Sequence, residues 1–163
     1  MLEVMAGGQR IGKLARCTRG IAEANTFAFA FDSSQSVDQL VQAGKYHWRE
    51  PEINSRNFRI AARDCEGVIR IVRFANSVAT AEVLFELYKA QLYPATLLEL
   101  LKFGVEYPDE QLRLPIIALG SAWNLNGESV VPFLGNAAGR RTLAFTCFWG
   151  TWDNTCRFAA IAK

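Results

Sequence analysis

Residues 45–51, with the sequence KYHWREP, carry the densest group of side chains that could bind a ligand or react with one. His47 is the only histidine of the chain, and imidazole exchanges a proton close to neutral pH. General acid–base catalysis also needs a positioned partner, and the sequence identifies none for His47. The pattern therefore favours packed aromatic rings beside a half-exposed histidine, with His47 and Trp48 kept as candidate ligand contacts.

Arginine is concentrated after this segment, where two alternating runs predict a β-hairpin with strands 57–63 and 68–74. Guanidinium groups form bidentate contacts with carboxylates and phosphates, so the hairpin could hold a small anionic ligand. The alternative, which the neighbouring acidic residues favour, is a solvated sheet face with internal ion pairs. The candidate ligand contacts on the hairpin are Arg59, Arg63 and Arg70.

The same arginines, together with Arg140 and Arg141, could also bind nucleic acid weakly. The formal net charge is only +2, and one short hairpin with acidic neighbours does not form an extended basic stripe. Neither the aromatic motifs of single-strand-binding sheets nor an arginine-rich helix for reading a duplex is present. The sequence therefore argues against nucleic acid as the main partner.

Three tryptophans, Trp123, Trp149 and Trp152, lie next to predicted turns in the C-terminal third of the chain. At such positions an indole ring either lines the rim of a ligand pocket or completes the edge of a core. Packing is the more common role of a large aromatic side chain, and the sequence favours it here. All three stay candidate ligand contacts on the alternative interpretation.

Motifs of the common catalytic and cofactor sites are absent from the sequence. It contains no GxxxxGK[ST], no GxGxxG and no HExxH, and no Ser-His-Asp set can be identified. Its four cysteines form no CxxC pair, so no zinc site, no other metal site and no cofactor are expected. Whether the chain is an enzyme stays open, and no catalytic residue is assigned.

The chain has no apolar signal-peptide core near its start and no run of about 18 apolar residues. We therefore expect a cytoplasmic protein with no membrane partner, whose thiols stay reduced. Cys147 and Cys156 could nevertheless face each other across the last predicted hairpin.

The elements that must position these residues predict an α+β fold with a mostly antiparallel sheet, in a single domain over 1–163 without linker or repeat. A C-terminal β-meander of four strands (114–163) is expected to pack on a helix pair (79–104), after an N-terminal β-β-α-β-β portion. Within the meander, Asn126-Gly127 predicts a type I′ turn with Trp123 opposite Val130, and residues 135–141 form a second connection. Gly44 and Gly104 are expected to end the helices that precede them.

The helix predicted near residues 95–103 has an apolar arc wider than a single buried stripe requires. Such a helix is either buried on two sides or covered by a partner subunit. We therefore expect a self-associating binding or accessory protein, with a homodimer as the first hypothesis. The alternatives are a small-molecule or enzymatic pocket in which Trp and Tyr rings and Arg contacts hold an anionic ligand, and weak nucleic-acid binding through the arginine-rich hairpin. The expected interface residues are Leu97, Leu100, Leu101 and Phe103.

Overall fold

A large mixed sheet with helices on both faces forms the centre of the protein. The computed structural model describes residues 10–13, 20–30, 34–59 and 67–162. In chain order the elements are β1 (Arg10–Lys13), β2 (Ile21–Phe29), α1 (Val37–Gly44), β3 (Trp48–Arg49), β4 (Gly67–Phe74), β5 (Val78–Ala79), α2 (Thr80–Lys89), β6 (Leu92–Pro94), α3 (Leu97–Glu106), α4 (Glu110–Arg113), β7 (Ile116–Ile117), β8 (Trp123–Leu125), β9 (Glu128–Ala137), β10 (Arg140–Cys147), β11 (Thr151–Trp152) and β12 (Arg157–Ala162).

Ten of the described strands belong to one sheet, whose main path runs β1-β2-β4-β12-β7-β9-β10-β3. Strand β6 adds to β12 and β8 adds to β9, while β5 and β11 form a separate two-stranded ladder. Neighbours are antiparallel except for the parallel pairs β12–β7 and β10–β3. The expected α+β fold with a mostly antiparallel sheet is confirmed.

The expected C-terminal meander is wrong, because β12 does not follow β10 in the sheet. It lies between β4 and β7, with β7 and β9 separating it from β10. Phe158, Ala159 and Ala160 explain this position, since all three side chains are at most 1% exposed and therefore need cover on both faces of the sheet. Cys147 and Cys156 consequently do not face each other across a hairpin, and both are free thiols.

The two faces of the sheet carry different helices. On the α1/α3 face, the strand residues Phe27, Ile71 and Leu134 belong to one core with α1 and α3. On the opposite face, called the α2 face, Val72 and Phe158 belong to a second core with α2 and Trp152. The helix pair 79–104 therefore does not cover one face as expected, because β6 joins the sheet between α2 and α3 and the chain changes sides there.

The apolar helix α3 is buried within the chain on two sides, between α1 and the sheet. The homodimer interface expected on this helix is therefore wrong, because its side chains are unavailable to a partner. Leu97 is 2% exposed, and Leu100, Leu101 and Phe103 are 0% exposed.

The predicted arginine-rich hairpin is also not formed by those of its residues that the structure describes. Phe58 and Arg59 end a segment of turns, and residues 60–66 lie outside the described residues. Strand β4 pairs instead with β2 on one side and β12 on the other. None of the four described helices is long and apolar enough to cross a membrane.

Two short turns join β8, β9 and β10 into consecutive antiparallel pairs. Asn126 and Gly127 have φ values of 53° and 91°, and Trp123 pairs with Val130, which confirms the predicted hairpin. The second connection is shorter than expected, because β9 continues to Ala137 and β10 begins at Arg140. Its two central residues, Ala138 and Gly139, also have positive φ values, 52° and 78°.

Ala138 is poorly suited to this left-handed conformation, in which Asn is favoured over Ala. We expect Ala138→Asn to raise the free energy of unfolding by about 0.5–1 kcal/mol, measured by urea denaturation. The matched control is Asn126→Ala, which places alanine at the equivalent position of the other hairpin and should lower it by a similar amount. A lower stability of Ala138→Asn would contradict this account.

Candidate functional site

The buried part of the site is organised by Arg141 on β10. Its guanidinium donates hydrogen bonds to the carbonyl oxygens of Gly44 and Gly104, near the C-terminal ends of α1 and α3. Its Nε donates to Oε1 of Gln111 at 3.1 Å. A cation is favoured at the negative end of a helix dipole, so Arg141 stabilises both helix ends against the sheet.

Tyr46 fills the space between these two helix ends. The Arg141 guanidinium carbon lies 4.8 Å from the centre of its ring, in cation–π contact. A Cβ atom at Gly44 or Gly104 would overlap the Tyr46 side chain, so both glycines are needed for close packing. Gly44 ends α1 as expected, followed by Lys45 at φ 49°, whereas α3 continues past Gly104 to Glu106.

The Tyr46 hydroxyl is buried and forms no regular hydrogen bond with the described residues. Burial raises the pKa of Tyr46 to about 12, and the positive charge of Arg141 opposes this rise. The phenol is therefore neutral across the physiological range and serves packing rather than acid–base chemistry.

From Tyr46 the chain passes directly into the outermost strand, β3. The His47 amide donates to the Arg141 carbonyl at 2.9 Å, and the Glu50 amide donates to the Leu143 carbonyl at 2.8 Å. These bonds hold Trp48 at the sheet edge, where its side chain is 49% exposed. The buried contacts of Tyr46 and Arg141 therefore determine where Trp48 lies.

His47 and Arg140 meet beside this strand, with His47 Nε2 at 3.0 Å from Arg140 Nη1. A guanidinium has only donors, so the ring nitrogen is the acceptor in this contact. We call the exposed set around β3 the basic edge. Its members are Lys45, His47, Trp48, Arg49 and Arg140.

The cations of the basic edge form no ion pair with any carboxylate of the described residues. The ion pairs found there lie elsewhere: Glu23–Arg73, Glu86–Lys89, Glu110–Arg113 and Glu110–Arg157. Glu50, half-buried, is the acidic residue adjoining the basic edge in the sequence. The positive charge of Lys45, Arg49 and Arg140 is therefore free to act on a ligand.

Trp48 also borders a part of the α2 face that α2 does not cover. It pairs with Thr142, which pairs with Gly135, and the neighbouring pair is Ala144–Phe133. Thr142 and Ala144 are half-exposed because α2 packs over the other end of this face, on β4, β12 and β7. We call this surface the open face. It consists of the exposed Trp48 and the partly buried Phe133, Thr142 and Ala144, with Gly135 buried next to the Phe133 ring.

Gly135 determines how the Phe133 ring lies on the open face. A Cβ atom at Gly135 would lie 2.7 Å from Cε2 of Phe133 and 3.0 Å from Oγ1 of Thr142. Its absence lets the Phe133 ring lie along β9 toward the row that contains Trp48. The open face therefore carries two aromatic rings with only small side chains between them.

The other residues expected in a ligand site lie away from the basic edge. Trp152 is a core residue, 8% exposed, with Nε1 donating to Oγ1 of Thr80 at 2.9 Å. Trp123 packs on Phe58 at 5.3 Å between ring centres, on the α1/α3 side. Trp149 is 66% exposed after β10. Arg59 is exposed beyond the turn segment, Arg70 lies on β4 near the middle of the sheet, and Arg63 is outside the described residues.

The structure therefore unites two predicted residues, His47 and Trp48, with partners that the sequence did not place there. The sequence indicates Arg140 only as an addition to the arginine hairpin, and it gives no indication of Phe133. The turn at Ala138-Gly139 was the available signal for Arg140, because it fixes the start of β10. No local signal connects β3 to β10, whose sequence separation is about 90 residues.

The described residues offer little acid–base or metal chemistry at this site. No group of three His, Cys, Asp or Glu side chains among them could hold a metal ion. His47 contacts a guanidinium rather than a carboxylate, so it lacks the partner that would orient it as a base. Comparison with known proteins identifies no relative: no family model, curated protein or solved structure matches this chain.

Because Tyr46 is buried, we expect the protein to lose stability at alkaline pH. Its pKa is about 12 in the folded chain against an ordinary value of 10.0, so the unfolded chain ionises first. Stability from this group is complete below pH 10 and is lost as the pH rises to 12, by about 2–3 kcal/mol in all. In pH-dependent urea denaturation, Tyr46→Phe should remove this part of the loss.

At neutral pH, Tyr46→Phe should be about as stable as the wild type, because the buried hydroxyl forms no hydrogen bond of regular geometry with the described residues. Some alkaline loss will remain, since burial also raises the pKa of Tyr107. Tyr88→Phe, in an exposed ring, is the control and should keep the full wild-type loss. If Tyr46→Phe loses as much stability in alkali as the wild type, Tyr46 is not the source of that loss.

Proposed function

We propose that this protein is a binding protein that holds an anionic ligand at the basic edge. The observation that carries the proposal is the set of exposed cations, without carboxylate partners in the described chain, around the half-exposed Trp48. Exposed charges of one sign attract a ligand of the opposite sign and orient it on approach. The sequence predicts a binding protein and, as an alternative, arginine contacts with an anionic ligand. The proposal combines these two predictions.

The neighbouring arginines Arg140 and Arg141 differ in what they can offer such a ligand. Arg141 uses its donors on two helix ends and on Gln111, so it supports the site from inside. Arg140 is exposed, and among the described residues its side chain contacts only the ring of His47. Its remaining donors suit a carboxylate, sulfate or phosphate, which guanidinium binds with two parallel hydrogen bonds.

Self-association and a cytoplasmic location remain separate predictions. The helix that suggested a dimer is buried, which removes the observation behind that interface. Phe85 and Tyr88 give α2 an exposed aromatic surface, 60% and 67% exposed, on which a dimer would have to rest instead. Light scattering would decide the point, and a monomer at micromolar concentration would contradict self-association.

The anion-binding proposal predicts that neutralising the basic edge weakens binding of a general polyanion. A fluorescently labelled heparin oligosaccharide is a suitable probe, with affinity measured by anisotropy. Arg49→Gln with Arg140→Gln should reduce affinity by about tenfold or more, and should lower the slope of log affinity against log salt concentration by about one per lost contact. The described fold does not depend on either side chain, since both are exposed.

The matched control is Lys89→Gln with Arg113→Gln, which removes the same charge from cations that already pair with Glu86 and Glu110. This variant should bind heparin within about twofold of the wild type. Equal losses in the two double variants would show that net charge alone attracts the probe. That result, or no binding by the wild type, would overturn the proposal.

A further inference from the structure

We infer that the anionic ligand of the basic edge is single-stranded nucleic acid, with its bases stacked on the open face. The inference rests on the proposed function, because it assigns the phosphates of the strand to the basic edge. It adds a second requirement, an aromatic ligand, which charge alone does not impose. The feature that carries it is the position of Trp48, which belongs to both surfaces.

Trp48 and Phe133 are spaced for separate stacking partners. Trp48 pairs with Thr142 and Thr142 pairs with Gly135, over which the Phe133 ring lies, so the two rings are separated by two strand spacings. Two such spacings amount to about 10 Å. Bases of one extended strand can therefore stack on both rings without the rings competing for the same base.

The surface between the rings is low and polar enough for a strand to cross it. Gly135 has no side chain, Ala144 carries a methyl group, and Thr142 offers a half-exposed hydroxyl. Nucleobases have a π-face whatever their sequence, and stacking on aromatic side chains beside a positively charged groove is the usual way to bind single strands. Binding of this kind shows little preference for the base sequence.

Two other polyanions fit this surface less well. An acidic peptide would satisfy Lys45, Arg49 and Arg140 but would leave the exposed indole of Trp48 without a partner of its own kind. A duplex has its bases stacked inside, and reading its major groove needs a projecting helix or ribbon. The open face is a flat part of a sheet, so it suits unpaired bases.

The arginine hairpin that first suggested nucleic acid has no part in this assignment. The described part of that segment does not form a hairpin, and Arg59 and Arg70 lie apart from the basic edge. The sequence argued against nucleic acid because no aromatic motif marks a strand. The two rings come instead from Trp48 on β3 and Phe133 on β9, which are 85 residues apart in the chain and are brought together through β10.

The test compares binding of a fluorescein-labelled oligothymidylate by the full chain and by two variants of Trp48. Trp48→Ala should weaken binding roughly 5- to 150-fold, the range for loss of one stacked base. Trp48→Phe keeps an aromatic face and should retain most of the affinity. Trp149→Ala is the matched control, because it removes another exposed tryptophan outside the basic edge and should have no effect.

Labelled heparin separates this inference from the proposed function. Trp48→Ala should weaken heparin binding much less than oligothymidylate binding, because heparin has no base to stack. If heparin binding depends on Arg49 and Arg140 while oligothymidylate binding ignores Trp48→Ala, the proposed function stands and the inference is overturned. If heparin binding is insensitive to those arginines, the proposed function itself has failed.

Competition with a mononucleotide tests whether the surface binds a strand or a single nucleotide. Thymidine monophosphate should compete with the labelled strand only at concentrations at least about a hundredfold above those of unlabelled oligothymidylate, since it makes one stack and few phosphate contacts. Competition at similar concentrations would show that the surface binds a single nucleotide, and it would overturn the inference that it binds a strand. Circular dichroism and thermal unfolding of each variant verify that lost binding does not reflect lost structure.

Discussion

The guanidinium of Arg141 is the contact on which this end of the molecule depends. It satisfies carbonyl groups at the ends of two helices, orients Gln111 and covers the ring of Tyr46. Gln111 in turn donates to the carbonyls of Gly135 and Thr142, which lie opposite each other on β9 and β10. Without the guanidinium, several buried polar groups would lose their partners at once, and such losses cost far more than any single hydrogen bond contributes.

This buried network and the exposed basic edge lie on consecutive residues of one strand. Arg141 binds inward and Arg140 stays in solvent, because alternate residues of a strand point to opposite sides. The first fixes the geometry of β3, and the second supplies charge beside it. Under the proposed function, substitutions at the two positions would act by different routes: at Arg141 through the placement of Trp48, and at Arg140 through direct attraction of the ligand.

Features that depend on neighbouring residues could be predicted from the sequence, whereas those that depend on distant contacts could not. Asn126-Gly127 fixed its own turn because both residues tolerate positive φ. The buried interior of α3 and the place of β12 depend on which segments pack against them. The basic edge depends on β3 joining β10, and a two-residue strand carries too little pattern to reveal its partner.

The place of β12 also has a consequence for how the chain acquires its structure. This strand follows the other eleven described strands in sequence, yet it lies between β4 and β7. Until residues 157–162 are available, each of those two strands has one unpaired side, and apolar residues such as Ile71 and Val72 lack their neighbours. A chain emerging from the ribosome therefore holds an incomplete sheet until residues 157–162 have been synthesised. Closing it requires contacts between distant residues, which makes folding slow and gives chaperones time to act.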